Sequence, residues 1–187
     1  MGHPRTAGAA ARRQAGSTLK PFLYALAFDL KLLTAGSLIS DSPIDLFTER
    51  GIYRPDNYDN RYRGPVPARI ALASSLNIPA VRTILATGED RFVETLRLLG
   101  FSNLYDSDHY GYSLALGSID VSLYELVQAY LVLARNGLSI PLSIEAGGGN
   151  PAEKRVFSKE ASFIVSDILS DRGARSTTFG LENPLST

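Results

Sequence analysis

Cysteine and tryptophan are absent from these 187 residues, and methionine occurs once. Without a thiol there is no disulfide framework, no thiolate metal site and no cysteine nucleophile. Imidazole is scarce as well: His3 and His109 are the two histidines, one in the opening stretch and one in a polar loop, so metal catalysis is not expected. No excess of charge exists, since 19 basic residues face 19 acidic ones, and a broad nucleic-acid footprint is excluded. No run reads as a membrane span. The most apolar stretch, Phe22 to Ile39, is broken by Asp29 and Lys31, whereas a span needs about 20 largely uncharged residues. Met1 to Gly16 carries Arg5, Arg12 and Arg13 with no apolar run behind them, so it is not a signal peptide. Lysine, too, is rare, four against fifteen arginines, which makes each of Lys20, Lys31, Lys154 and Lys159 worth weighing. What remains, 44% hydrophobic and 20% charged, is the composition of one globular domain with a real core.

The chain divides into an irregular lead-in over 1–16 and a single domain over 17–187. Apolar residues Leu19, Phe22, Leu23, Leu26, Leu30 and Leu33 predict a helix from about Ser17 to Thr34, with Pro21 confined to its first turn. Residues 40–66 read as a long connector whose tyrosines, Tyr53, Tyr58 and Tyr62, pack it on the body or line a groove. Pro67 opens a short helix to about Ser75, and Pro79 opens another that ends at Gly88. A further helix spans about Glu89 to Leu99. Ser122 and Glu125 form a capping box for a helix to Asn136, stopped by Gly137. Residues 138–144 suggest a short strand weakened by Pro141, followed by a Gly-rich turn at 147–149. Ser158 caps a last helix from Lys159 to about Asp171, and 172–187 read as irregular. Helix dominates and strand is nearly absent.

Two short patterns carry chemistry. Ser17-Thr18-Leu19-Lys20 is an S-x-x-K at a helix start, where residues three apart share a face and Lys20 reaches the Ser17 hydroxyl. A serine is a weak nucleophile until a base takes its proton, and a buried lysine with a lowered pKa is such a base. The helix N-terminus favours the neutral amine, and its free N–H groups offer half of an oxyanion hole. About 0.4 such matches are expected by chance in this composition, so a capping Ser17 beside an exposed Lys20 remains open. Ser75-Leu76-Asn77 is an S-x-N between two helices. It reads either as a proton relay and an amide ligand beside Lys20, or as a helix stop and cap. Asp106, Asp108 and His109 read as a solvated turn rather than a metal site. Arg12 and Arg13 either attract an anionic substrate or lie on the surface.

Together the two patterns resemble the first two motifs of the penicillin-recognising serine acyl-enzymes, S-x-x-K, S-x-N and K-T-G. The longer runs ARRQAGSTLKPFLYALA, RPDNYDNRYRGPVPARIALASSLNIPAVR and YSLALGSIDVSLYELVQAYLVLARNG resemble the transpeptidase domain of class A penicillin-binding proteins, and SFIVSDILSDRGARSTTFGLENPL resembles the 1C type. The resemblance implies a mixed α/β serine transpeptidase (β-lactamase-like) fold with neither metal nor organic cofactor. It implies Ser17 as the nucleophile acylated by a peptidoglycan stem peptide ending in D-Ala-D-Ala, Lys20 as general base, Ser75 as proton shuttle and Asn77 as substrate-amide ligand. β-Lactams would acylate the same serine, and the site would face the periplasm, with membrane attachment through an N-terminal anchor not present here.

The third motif is lacking: the four lysines begin KPF, KLL, KRV and KEA. The chain therefore reads as an internal fragment, the helical part of the domain with most of its central sheet missing. Its S-x-x-K helix is expected to expose Leu and Phe side chains, and the isolated chain is expected to be inactive. A non-catalytic product that binds cell-wall peptide or a partner, and a D,D-carboxypeptidase or β-lactamase-like hydrolase, remain as alternatives.

Overall fold

The computed structural model describes residues 8–49, 51–142 and 152–180. The Gly-rich turn expected at 147–149, His3 and the stretch beyond 180 lie outside the described residues.

The S-x-x-K segment folds in two pieces, a 3₁₀ turn over Gly16–Leu19 and helix α1 over Lys20–Asp29. Pro21 falls in the first turn of α1, where a missing N–H breaks no helical bond. The helix stops at Asp29, short of the expected Thr34, because Lys31 adopts a left-handed φ of +57° and its N–H turns back to the Phe28 carbonyl at 3.0 Å. Next come α2 (Ala68–Ala73), α3 (Asn77–Thr87) and α4 (Glu89–Leu98). α3 begins two residues before Pro79, which therefore occupies its first turn rather than opening it. A short α5 (Ser107–Tyr110) leads into a second 3₁₀ segment, Gly111–Leu116. α6 (Leu123–Ala134) carries the full Ser122/Glu125 capping box, and α7 (Lys159–Ser170) is capped by the Ser158 hydroxyl. The expectation of irregular chain after Asp171 is corrected by α8 (Arg172–Phe179), which Asp171 caps.

Strand is more frequent than the sequence suggests. Among the described residues, eight short strands form four separate antiparallel pairs. The lead-in is one of them: β1 (Arg13–Gln14) pairs with β6 (Asp120–Val121), with Arg13 opposite Val121. The 40–66 connector is largely ordered. It holds the hairpin β3 (Leu46–Thr48) and β4 (Gly51–Tyr53), and it runs between β2 (Leu38–Asp41) and β5 (Gly64–Pro67), which pair with each other. β7 (Leu138–Ser139) pairs with β8 (Lys154–Arg155).

Every residue from Lys20 to Phe28 is buried. This corrects the expectation that α1 lies open: α2, α3, α4, α7 and the second 3₁₀ segment pack around it, and it forms the centre of the core. Phe22 stands edge-on to Tyr130 and Phe101, with ring centroids 5.0 and 6.1 Å apart. Exposed apolar side chains occur instead on α6 and α7, at Leu123, Tyr124, Val127 and Phe163.

Candidate active site

Lys20 enters the core from the first turn of α1 and is 1% exposed. Its Nζ donates to the Ser75 carbonyl at 2.6 Å and to Asn77 Oδ1 at 2.7 Å, and lies 3.2 Å from Ser75 Oγ. No carboxylate is among these partners. Burial therefore acts on the ammonium without a counter-charge and lowers its pKa to about 7. A neutral amine there has one N–H group for each of the two carbonyl oxygens and keeps its lone pair free of both.

Ser75 and Asn77 are brought to Lys20 by the junction of α2 and α3. Ser75 takes a left-handed φ of +55°, the irregular turn that ends one helix and lets Asn77 start the next. Asn77 is anchored from the other side, donating from Nδ2 to the Asp56 carbonyl at 2.8 Å. That contact leaves only Oδ1 to face Lys20.

Ser17 sits one turn before Lys20 on the exposed side of the 3₁₀ turn. Its hydroxyl makes no hydrogen bond to Lys20, whose partners are Ser75 and Asn77. The structure thus joins three of the four sequence candidates directly and sets Ser17 beside them through a single turn of chain. Two glycines hold that turn in place. Gly16 N–H donates to the Gly117 carbonyl at 3.0 Å, and a Cβ on Gly117, whose φ is +79°, would collide with the Gly16 carbonyl. Ala15 N–H also bonds the Ile119 carbonyl, and the Tyr130 hydroxyl bonds the Thr18 carbonyl.

The remaining candidates fare differently. Arg12 is committed to structure: it pairs with Glu125 at 2.8 Å and reaches Ser102 and the Asp120 carbonyl. Arg13 is exposed. Tyr58 is fully exposed and Tyr62 is tied to Asp56, so neither packs the connector on the core, whereas Tyr53 does. Tyr53 lines a cavity of about 670 Å³ between the β3–β4 hairpin and residues 108–113, which Asp108 and His109 also line. None of Ser17, Lys20, Ser75 or Asn77 lines it. No group of acidic and histidine side chains able to hold a metal occurs among the described residues.

Sequence reading passed over Asn57 and Asp41, both buried, and Gly117. Nothing local marks them. Their role comes mostly from contacts with residues 16 to 101 positions away, which no spacing rule detects.

The comparisons with known proteins bear on the family and the fold. The family model "Penicillin binding protein transpeptidase domain" matches residues 5–180. Penicillin-binding protein 1C of Escherichia coli is 36% identical over 161 residues, which are 85% of this chain and 20% of that protein. Penicillin-binding protein 1B of Vibrio cholerae is 39% identical over 136 residues, 71% of this chain and 17% of the relative. The chain spans about a fifth of the length of these curated relatives. Among solved structures, penicillin-binding protein 1A of Haemophilus influenzae superposes with a TM-score of 0.73 at 27% identity, covering 96% of this chain and 32% of that one. The transpeptidase domain of Burkholderia pseudomallei penicillin-binding protein 3 shares the fold, with a TM-score of 0.75 at 21% identity over 89% of this chain and 55% of its own. No helix among the described residues is long and apolar enough to cross a membrane. The mixed α/β fold, the serine–lysine helix and the matched family model lead to one assignment: the chain belongs to the penicillin-binding protein transpeptidase family.

Proposed function

We propose that residues 17–187 are part of a serine D,D-transpeptidase domain that cross-links peptidoglycan stem peptides, with Ser17 as nucleophile, Lys20 as base, Ser75 as proton relay and Asn77 as substrate-amide ligand. The observation that carries this reading is Lys20: a buried amine without a counter-ion, held by the S-x-N residues one turn from an exposed serine.

In the acylation step the Ser17 hydroxyl gives up its proton toward the Lys20 amine and Oγ attacks the carbonyl of the penultimate D-Ala. The C–N bond to the terminal D-Ala breaks, and the leaving amine takes a proton through Ser75. An amine of a second stem peptide then attacks the Ser17 ester, forming the new amide and returning the proton to the hydroxyl. A β-lactam opens its ring on the same oxygen and stays attached. The substrate class sets the reaction at the periplasmic face of the bacterial inner membrane, and the balanced charge supports no nucleic-acid partner.

The sequence contains no K-T-G or K-S-G. In this reading the missing motif lies on a strand that binds the substrate carboxylate and supplies one oxyanion N–H, a donor whose loss alone costs about 10²- to 10³-fold in rate. The 187-residue chain by itself is therefore inactive, which favours a second reading for it as a non-catalytic, peptide-binding piece. Mass spectrometry after exposure to benzylpenicillin tests both. The isolated chain stays unmodified, and a rapid stoichiometric adduct on its Ser17 would overturn the inactivity. In a protein carrying this segment together with a K-T-G strand, the adduct maps to Ser17 and forms faster as pH rises through about 7, where Lys20 loses its proton. An adduct there that survives Ser17→Ala sinks the nucleophile assignment.

A further inference from the structure

Behind the S-x-N turn lies a second polar chain, buried at Asp41 and Asn57. Asn57, 3% exposed, uses both ends of its amide. Its Nδ2 donates to Asp41 Oδ1 at 2.6 Å and to the Arg61 carbonyl at 2.9 Å. Its Oδ1 accepts from the backbone N–H of Asn77 at 2.9 Å and lies 3.4 Å from that of Ile78. These are the first two N–H groups of α3, which have no partner within the helix.

The orientation is dictated rather than optional. Asp41 is fully buried, and a carboxylate accepts only, so the NH₂ end of Asn57 must face it and the oxygen must face α3. The other Asp41 oxygen is held by the Arg63 N–H at 3.1 Å and by the Arg63 guanidinium at 3.8 Å. The adjoining Asp56 carbonyl takes Asn77 Nδ2, and Asn77 Oδ1 takes Lys20. A continuous series of contacts therefore runs from Arg63 through Asp41, Asn57 and Asn77 to Lys20.

We propose that Asn57 is a positioning residue: it holds the first turn of α3, and with it the oxygens of Ser75 and Asn77, against Lys20. The inference rests on the reading of Lys20 as the base. Asn57 touches neither substrate nor the reacting atoms, and it acts through Asn77. Its removal loosens the turn, admits water to Lys20 and returns the amine to its ordinary, charged state.

Four lysines make the test direct. With ¹³C at the lysine ε-carbons of the full chain, the Lys20 signal is one of four to assign, and it titrates at about 7. In Asn57→Ala the Lys20 midpoint rises by about one pH unit or more. The Asn77 amide also exchanges about ten-fold faster or more, while the later amides of α3 stay protected. The exchange Asp41→Asn with Asn57→Asp keeps one amide, one carboxylate and an acceptor oxygen toward α3, and it rescues the Asn77 amide. An unmoved Lys20 midpoint in folded Asn57→Ala overturns the proposal. If Asn57→Ala does not fold, the Asn77 amide of the Asp41→Asn/Asn57→Asp exchange decides: protection supports the anchor and rapid exchange refutes it. A wild-type Lys20 whose midpoint lies at the ordinary lysine value of about 10.4 brings down the base assignment itself, and the anchor with it.

Discussion

Lys20 and Glu125 are both ionisable side chains taken almost entirely out of water, and the fold treats them in opposite ways. Around Lys20 stand two carbonyl oxygens and a hydroxyl with no opposite charge, and burial lowers its pKa to about 7. Around Glu125 burial alone pushes the carboxyl up. Hydrogen bonds from the Ser122 and Ser102 backbones and hydroxyls outweigh it and bring the pKa to about 2. Arg12 adds an ion pair. One group is poised to lose its charge and the other is locked into it. A buried charge with a full set of partners is a structural tie, whereas one without a counter-ion is a place to look for chemistry.

The largest effect expected from this contrast falls on the structural side. Glu125→Ala strands Arg12, removes the reciprocal half of the α6 cap and costs about 3 kcal/mol in urea unfolding. A cost below about 1 kcal/mol would erase the distinction. Next comes pH. The folded pKa of Glu125 lies below its ordinary 4.5, so its contribution is complete above that pH and drains away as pH falls toward 2. Its size is on the order of 2 kcal/mol, and Glu125→Gln flattens that part of the acid-unfolding curve. The smallest effect belongs to the reactive side. Lys20→Met exchanges an uncompensated buried amine for an apolar chain of similar length, leaving two half-buried oxygens to take up water. It changes stability by about 1 kcal/mol or less in the same unfolding experiment. A loss as large as that of Glu125→Ala would show Lys20 to be a structural tie as well.

Much of this molecule was legible before folding was considered. The α6 capping box and the Ser158 cap are local devices between residues three positions apart, and both stand where the sequence puts them. The S-x-x-K and S-x-N residues were picked out by type and spacing, and Lys20 does meet Ser75 and Asn77. The end of α1 was misplaced because Leu30 and Leu33 continue the apolar period, while the left-handed Lys31 breaks the backbone without a glycine to announce it. The strands escaped because they are two to four residues long and several pair across long stretches of chain, as Arg13 does with Val121. Asn57 escaped for the same reason: in RPDNYDNRYRG nothing separates it from Asn60, and only the position of α3 in space does.

The Lys20 contacts reach across 55 and 57 residues of chain. Before those loops close, Lys20 is solvated and carries its ordinary charge, so its basicity changes only at a late, non-local folding step. The protonation state of one amine therefore works as a clock. Followed during refolding, it marks when the S-x-N turn docks, separately from the earlier formation of helices whose caps are purely local.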